Sequence, residues 1–212
     1  MNALAAIAWR EVRRAWSSGG LILAVVFFLL VSILFPFAIG PDGKLLARVG
    51  SGVIWTGALL AALLPVERLI APDAESGVLD QFAARGLPDA AVAAAKMAGH
   101  WFGFAPALVA ATMIAAALLR LPGAALWPIL TGLAVGTPGL AALGIATAGL
   151  VAGLRGAGSL AGLVMLPFAV PLLIFGTTAD QPGALKLLGA FSLLLVAGCP
   201  FVAGAAMRMG RS

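Results

Sequence analysis

The sequence has very little charge: only 10% of its 212 residues are Asp, Glu, Lys or Arg. Soluble domains carry about a quarter, so a soluble fold of this chain would lack the polar side chains needed to cover its surface. Hydrophobic residues make up 62% of the chain, and the mean hydropathy is +1.11. These values predict an integral membrane protein.

The residues on which most active sites depend are also scarce. Cys199 is the only cysteine and His100 the only histidine, so an intramolecular disulfide is excluded. A Gly-x4-Gly-Lys-Ser/Thr motif is missing, and so is a Ser/His or Asp/Asp pair for intramembrane proteolysis. We therefore predict a chain that is non-catalytic by itself and that binds neither metal nor nucleotide.

Six uncharged runs remain when the charged residues are marked. Each can hold one helical span, because about 20 residues that rise about 1.5 Å each cross about 30 Å of hydrocarbon. The sequence predicts an all-α membrane protein of one domain, with spans near 21–40, 47–65, 97–119, 125–152, 158–178 and 185–206. No charged residue lies in the middle of a predicted span, which argues against a proton-driven transporter.

The distribution of Lys and Arg predicts the orientation. With six spans, both termini and the segment 66–96 lie on one side, which carries nine basic residues against four on the other. The positive-inside rule then places both termini in the cytoplasm. The nine are Arg10, Arg13, Arg14, Arg68, Arg85, Lys96, Arg155, Arg208 and Arg211, and the four are Lys44, Arg48, Arg120 and Lys186.

Residues 1–18 precede the first span and are predicted to form an amphipathic helix. Tryptophans on one face with arginines on another are typical of a helix that lies at the lipid headgroups; the alternative is an ordinary cytoplasmic start to the first span. The apolar face comprises Ala5, Ala8, Trp9, Val12 and Trp16, and the basic face Arg10, Arg13 and Arg14.

The longest predicted loop, 66–96, gathers charge in the stretch VERLIAPDAESGVLDQFAARG. Asp73 or Ser76 can cap a short helix over 73–85, which Gly86 would end. Its acidic residues suit a basic groove on a cytoplasmic protein better than an anionic inner leaflet. Two interpretations stay open: a coupling helix that receives motion from a separate ATPase, and a solvated connector.

Prolines stand inside two of the predicted spans. Proline removes a backbone donor and clashes with the preceding turn, so it is expected to kink or break a helix. The segments GTPGLAALG and LPFAVPLLIF provide the candidates for kinks that act in gating: Gly136, Pro138, Pro167 and Pro171.

Six segments, spread in order over most of the chain, carry a family resemblance. They are FPFAIGPDGKLLARVGSGVIW (35–55), ERL (67–69), GVLDQF (77–82), KMAGHW (96–101), GTPGLAALG (136–144) and LPFAVPLLIF (166–175). Together they resemble the CcmB family, the haem exporter permeases of bacterial cytochrome c maturation. The resemblance implies an ABC-2-like permease of the bacterial inner membrane.

The same resemblance implies partners and site residues. The partners would be two copies of an ABC ATPase, a second copy of the chain, the haem-handling membrane protein C, small protein D and the periplasmic haem chaperone E. No nucleic acid is expected. The residues implied in ATPase coupling are Glu67, Arg68, Asp73, Glu75, Gly77, Leu79, Asp80, Gln81 and Phe82.

The cargo stays open at this point. ATP hydrolysed by the partner would drive either haem export or release of the haem-loaded chaperone. His100 is the one candidate haem ligand, although a lone histidine is more often a packed side chain. The alternatives are a non-transporting scaffold for haem-handling proteins and an unrelated ABC-2 exporter of lipid or polysaccharide.

Overall fold

The structure is a computed structural model that describes residues 3–40, 42–152 and 157–211. Every regular element within these ranges is an α-helix. In chain order they are α1 (Ala3–Ser17), α2 (Gly20–Ile39), α3 (Gly43–Leu63), α4 (Glu67–Glu75), α5 (Val78–Ala84), α6 (Asp89–Leu118), α7 (Gly123–Val151), α8 (Ala157–Thr177) and α9 (Ala184–Met209).

Six segments among the described residues are long and apolar enough to cross a membrane. They are Gly20–Ile39, Gly43–Glu75, Asp89–Leu118, Gly123–Val151, Leu160–Thr177 and Ala184–Met209. The prediction of an all-α membrane protein with six spans is therefore confirmed. Helix α7 is the most buried of the six: 72% of its most apolar 18-residue segment is buried within the protein, whereas the corresponding value for α2 is only 17%. Helix α7 is thus the centre of the bundle and α2 lies at its edge.

Small residues let the central helices approach closely. An ideal Cβ added to Gly149 of α7 would lie 3.0 Å from the Cα of Ala203 in α9. One added to Gly139 would lie 3.0 Å from the Oγ of Ser192, also in α9. Such contacts are the usual basis of helix association in membranes, where apolar surface alone gives no preference for protein over lipid.

The segment between the second and third spans differs from its prediction. A single helix over 73–85 is wrong: α4 continues the direction of α3 after one turn, and α5 follows after a break at Gly77. Gly77 has φ +70°, a left-handed conformation that interrupts a helix and favours glycine. Helix α6 then begins at Asp89, well before residue 97, so Lys96 lies inside a helix rather than in a loop.

The helices α7 and α8 continue through their prolines. Pro138 lies within α7, and Pro167 and Pro171 lie within α8, with helix on both sides of each. A break at these positions is therefore wrong. Neighbouring helices that cover the freed backbone groups make such prolines tolerable inside a membrane protein.

The charged residues collect at the two ends of the bundle. Arg211, beyond α9, donates to both carboxylate oxygens of Asp89 at 2.7 and 2.6 Å and to the carbonyl of Leu79 at 3.3 Å. The starts of α5 and α6 and the end of α9 thus meet at one end of the bundle, where Ile7 of α1 also packs against Val92 of α6. Arg155 lies outside the described residues, and the cytoplasmic assignment of this end stays a prediction.

Candidate functional site

Three helices each contribute one buried charge to a single cluster at the end where α1 lies. Lys96 of α6 is fully buried, and its Nζ donates to Glu11 Oε1 of α1 at 2.8 Å and to Asp73 Oδ2 of α4 at 2.6 Å. Glu11 is 5% exposed and Asp73 1% exposed. We call Glu11, Asp73 and Lys96 the buried ion triad.

Two arginines of α1 extend the triad towards the surface. Arg10 donates to Glu11 Oε1 at 2.9 Å and also to Asp73 Oδ2, while Arg14 donates to Asp73 Oδ1 at 3.3 Å. The guanidinium of Arg10 also lies 5.6 Å from the centre of the Phe82 ring in α5, a cation–π distance. These contacts connect α1, α4, α5 and α6.

Arg10 is a fixed positive charge in this network. Burial opposes its charge, whereas hydrogen bonds and the charges of Glu11 and Asp73 favour it, and the net effect raises the pKa of Arg10. The two carboxylates of the triad are therefore matched by more than one cation. A buried carboxylate or ammonium is tolerated when it is paired and hydrogen-bonded in this way.

The helix α1 presents different faces to the protein and to its surroundings. Ile7 and Glu11, one turn apart, are buried against α6, and an ideal Cβ on Gly99 of α6 would lie only 2.4 Å from the carbonyl oxygen of Ala8. Trp9 and Trp16 are 58% and 59% exposed on another face. The predicted helix is present, and its place at the headgroups stays a prediction.

The structure separates the predicted coupling residues into two groups. Asp73 and Leu79 are buried in the bundle, so their side chains cannot contact a separate protein, and the expectation that Asp73 caps an exposed helix is wrong. Gly77 and Phe82 are partly buried. The exposed members are Glu67, Arg68, Glu75, Asp80 and Gln81.

The exposed acid on α5, Asp80, lies near Arg211, which follows α9. Asp80 has a side chain that is 67% exposed, and its Oδ1 lies 3.8 Å from Nε of Arg211. Arg211 also binds Asp89 just beyond α5. Helix α5 is thus anchored on its inner side by Leu79 and Phe82, and it presents Asp80 and Gln81 outwards.

His100 lies deep between helices. It is 5% exposed, its ring centre lies 4.8 Å from that of Phe104, and one ring edge faces Gly144 of α7. Its Nε2 has no hydrogen-bond partner among the described residues. Within residues 3–40, 42–152 and 157–211, no three His, Cys, Asp or Glu side chains form a group suited to a metal ion. Haem ligation by His100 stays a hypothesis.

Gly136, one of the gating candidates, contacts a tryptophan of another span, and the sequence did not predict this contact. The ring of Trp55 in α3 is 1% exposed and fills a space lined by Gly136 of α7 and Gly176 of α8. An ideal Cβ would lie 2.5 Å from this ring at Gly136 and 2.2 Å from it at Gly176. Both positions are glycine because the large Trp55 ring lies between three spans and leaves no room for a side chain. A spacing pattern within one helix cannot reveal such a contact.

Comparison with known proteins agrees with this architecture. The family model described as "CcmB protein" matches residues 2–210. A Paracoccus denitrificans protein named Heme exporter protein B is 40% identical over 209 residues, covering 94% of this chain and 96% of the relative. Its namesake in Rhodobacter capsulatus is 41% identical with the same coverage, and that of Escherichia coli K12 is 38% identical over 86% of this chain and 87% of the relative. The chain therefore belongs to the CcmB family of membrane permease subunits.

Proposed function

We propose that the chain is the permease subunit of an ABC-type complex in c-type cytochrome biogenesis, in the bacterial inner membrane with both termini in the cytoplasm. A partner subunit hydrolyses ATP, and the chain converts that cycle into haem export or into release of a haem-loaded periplasmic chaperone. The family membership and the name Heme exporter protein B of the relatives support the haem system. Haem is then cargo rather than a resident cofactor.

One observation carries the mechanical part of the proposal: the buried ion triad. A protein that pushes on the exposed residues of α4 moves Asp73 and with it Lys96, whose ammonium group donates to Asp73. Lys96 also donates to Glu11, so the displacement is passed on to α1. The displacement therefore reaches α6, a full span, and α1 together. The energy source is external, because the chain has no nucleotide-binding motif of its own.

The ATPase is proposed to dock on the outer side of α4 and α5. Glu75, Asp80 and Gln81 are exposed there, and two of the three are acidic. A basic groove on the ATPase complements this surface, since charge complementarity favours a specific orientation and fast association. Two copies of the ATPase and a second copy of this chain complete the transporter, with proteins C and D and chaperone E as further partners.

The route to the opposite end runs through the spans. Lys96 lies in the first turns of α6, and α6 packs against both α7 and α9. Helix α7 carries Gly136 at the Trp55 contact and Pro138 two residues further along, and α8 carries Pro167 and Pro171. These proline-containing helices are the proposed gating elements, because a helix that lacks one backbone hydrogen bond bends there most easily.

Reversing the exposed acids tests the docking surface. In the double variant Glu75→Lys and Asp80→Lys, attraction to a basic groove becomes repulsion. We expect the amount of ATPase that copurifies with the chain to fall about tenfold or more. The yield of cytochrome c should fall with it. Measurement is by tagged pulldown from membranes, quantified by mass spectrometry.

Asp180→Lys is the matched control, since Asp180 is also exposed but lies beyond α8 at the other end of the bundle. It should leave both readouts unchanged. Unaltered ATPase retention in the double variant, with normal insertion, would refute docking on α4 and α5. A catalytically inactive ATPase that still supports cytochrome c maturation would instead favour the scaffold.

A further inference from the structure

The middle of α7 contacts one tryptophan from α3 and another from α6. The ring of Trp55 in α3 packs against Gly136, where an ideal Cβ would lie 2.5 Å from the ring. Trp101 of α6 donates from its indole Nε1 to the hydroxyl oxygen of Thr137 at 3.0 Å. Trp55 is 1% exposed and Thr137 is fully buried. Two neighbouring residues of α7 are thus held by two other spans.

The next residue along α7, Pro138, is a point at which this helix bends easily. Proline has no backbone N–H, so the carbonyl one turn earlier, at Ala134, receives no hydrogen bond from residue 138. Helix α7 continues through Pro138 to Val151. The two tryptophan contacts therefore lie beside a weak point in the backbone hydrogen bonding of α7.

Both tryptophans belong to spans that connect directly to α4 and α5. Helix α4 follows α3 after one turn, and α6 is the next helix after α5. Lys96, which donates to Asp73 of α4, lies five residues before Trp101 in the same helix. At about 1.5 Å per residue, the two are only about 7.5 Å apart along α6. A displacement of α6 at Lys96 therefore also moves Trp101.

The two contacts differ in kind. The ring of Trp55 fills space, so it resists a closer approach of α3 and α7 but does not pull them together. The bond between Trp101 and Thr137 is directional and links α6 to α7 inside the bundle. Thr112 of α6 is also fully buried, but its hydroxyl donates at 2.9 Å to the carbonyl of Leu108 in its own helix. That bond connects no second span.

We propose that Trp101 is a positioning residue that transmits displacement of α6 to the bend of α7 at Pro138. Its hydrogen bond to Thr137 pulls on α7 beside the proline, and the ring of Trp55 is the support against which α7 bends. The inference deepens the proposed function, in which α7 is a gating element, and rests on it. The hydrogen bond itself can be measured without the ATPase.

The first measurement is ¹⁹F NMR of the purified full chain with 5-fluorotryptophan at its five tryptophan positions. Trp101→Phe identifies the Trp101 resonance by its loss. Thr137→Val removes the acceptor but keeps a side chain of similar shape, so the Trp101 resonance should shift. Thr112→Val is the matched control and should leave it in place. An unshifted Trp101 resonance in Thr137→Val would overturn the proposal.

The second measurement follows the same resonances in the complex with the ATPase. A non-hydrolysable ATP analogue should move the Trp101 resonance, because α6 and α7 change their relative position at this contact. Trp127 of α7 is 73% exposed, and its resonance should stay in place. A Trp101 resonance that does not respond to the bound analogue would contradict the proposal, since a contact with a purely structural role is the same in both states.

The third measurement compares the yield of cytochrome c, when the chain limits it, with the amount of ATPase that copurifies. Trp101→Phe and Thr137→Val should each lower the yield about threefold, the usual effect of one interhelical hydrogen bond in a membrane protein. ATPase retention should stay normal, because neither residue lies on α4 or α5. The double variant should lose no more than either single variant, because both remove the same bond.

Thr112→Val and Trp127→Phe are the controls and should leave the yield and the ATPase retention unchanged. Equal yields in Thr137→Val and Thr112→Val would overturn the proposal. A fall in yield matched by a fall in folded protein, measured by size exclusion and thermal unfolding, would also overturn it. If docking through Glu75 and Asp80 fails, the proposed function falls and this inference with it. If docking stands, an unchanged yield in Thr137→Val rejects the role of Trp101 alone.

Discussion

Lys96→Met is expected to lower the free energy of unfolding by about 3 kcal/mol, because each of two buried carboxylates loses a charged hydrogen bond and its fully buried cation. Two carboxylates, Glu11 and Asp73, would remain buried with their shared cation gone. Arg10 and Arg14 still reach them but lie on the outer side of the cluster, with side chains 37% and 43% exposed. The measurement is equilibrium unfolding in mixed micelles, together with the steady-state amount of protein in membranes.

Lys186→Met provides the control, since Lys186 is exposed near the start of α9. It should change the free energy of unfolding by less than about 0.5 kcal/mol, as is usual for surface positions. A double-mutant cycle with Glu11→Gln should show strong coupling to Lys96, because the two side chains are bonded directly. Equal stability of Lys96→Met and the unchanged protein would show that the triad does not hold these helices together.

The second large effect is expected from Gly99→Leu, which should separate α1 from α6. The added Cβ would lie 2.4 Å from the carbonyl oxygen of Ala8 and 2.7 Å from the Cβ of Glu11. The first of these is backbone, so it cannot move aside without shifting the helix. Overpacking typically costs about 1–3 kcal/mol, and we expect the upper end of that range here.

Hydrogen exchange measures this separation directly. The amides of α1 should exchange faster in Gly99→Leu, whereas those of α7 and α9 should keep their protection, because the clash is local. Gly198→Leu is the control. Gly198 is also a glycine inside a helix, but nothing lies within 4 Å of its added Cβ. Unchanged protection of α1 would contradict the close contact.

The variant also tests the mechanical proposal. If α1 moves away, Glu11 is drawn from Lys96 and the link between the α4–α5 surface and α6 weakens. ATPase binding through Glu75 and Asp80 should persist, while the yield of cytochrome c should fall. Loss of both readouts together would indicate misfolding rather than uncoupling, which is why the exchange of α7 and α9 must be measured in the same sample.

Hydropathy, charge distribution and the motifs of the chain determined the class of this protein. Spans are predictable because transfer of a segment into lipid depends on the sum of its own residues over about 20 positions. The same local rule predicted α1, whose tryptophans and arginines alternate within a few turns. Family membership also follows from linear motifs, which need no contact between distant residues.

The tertiary structure alone decided what the charged residues do. Asp73 was predicted to be an exposed cap, but it is buried because Leu69 and Ile70 turn its face of α4 into the bundle. Its partners Arg10 and Lys96 lie 63 and 23 residues away in the chain. The ring of Trp55 depends in the same way on Gly136 and Gly176, which lie in helices that are distant in sequence. A local pattern indicates which residues are polar or apolar, whereas pairing depends on which helix faces meet, and only packing sets that.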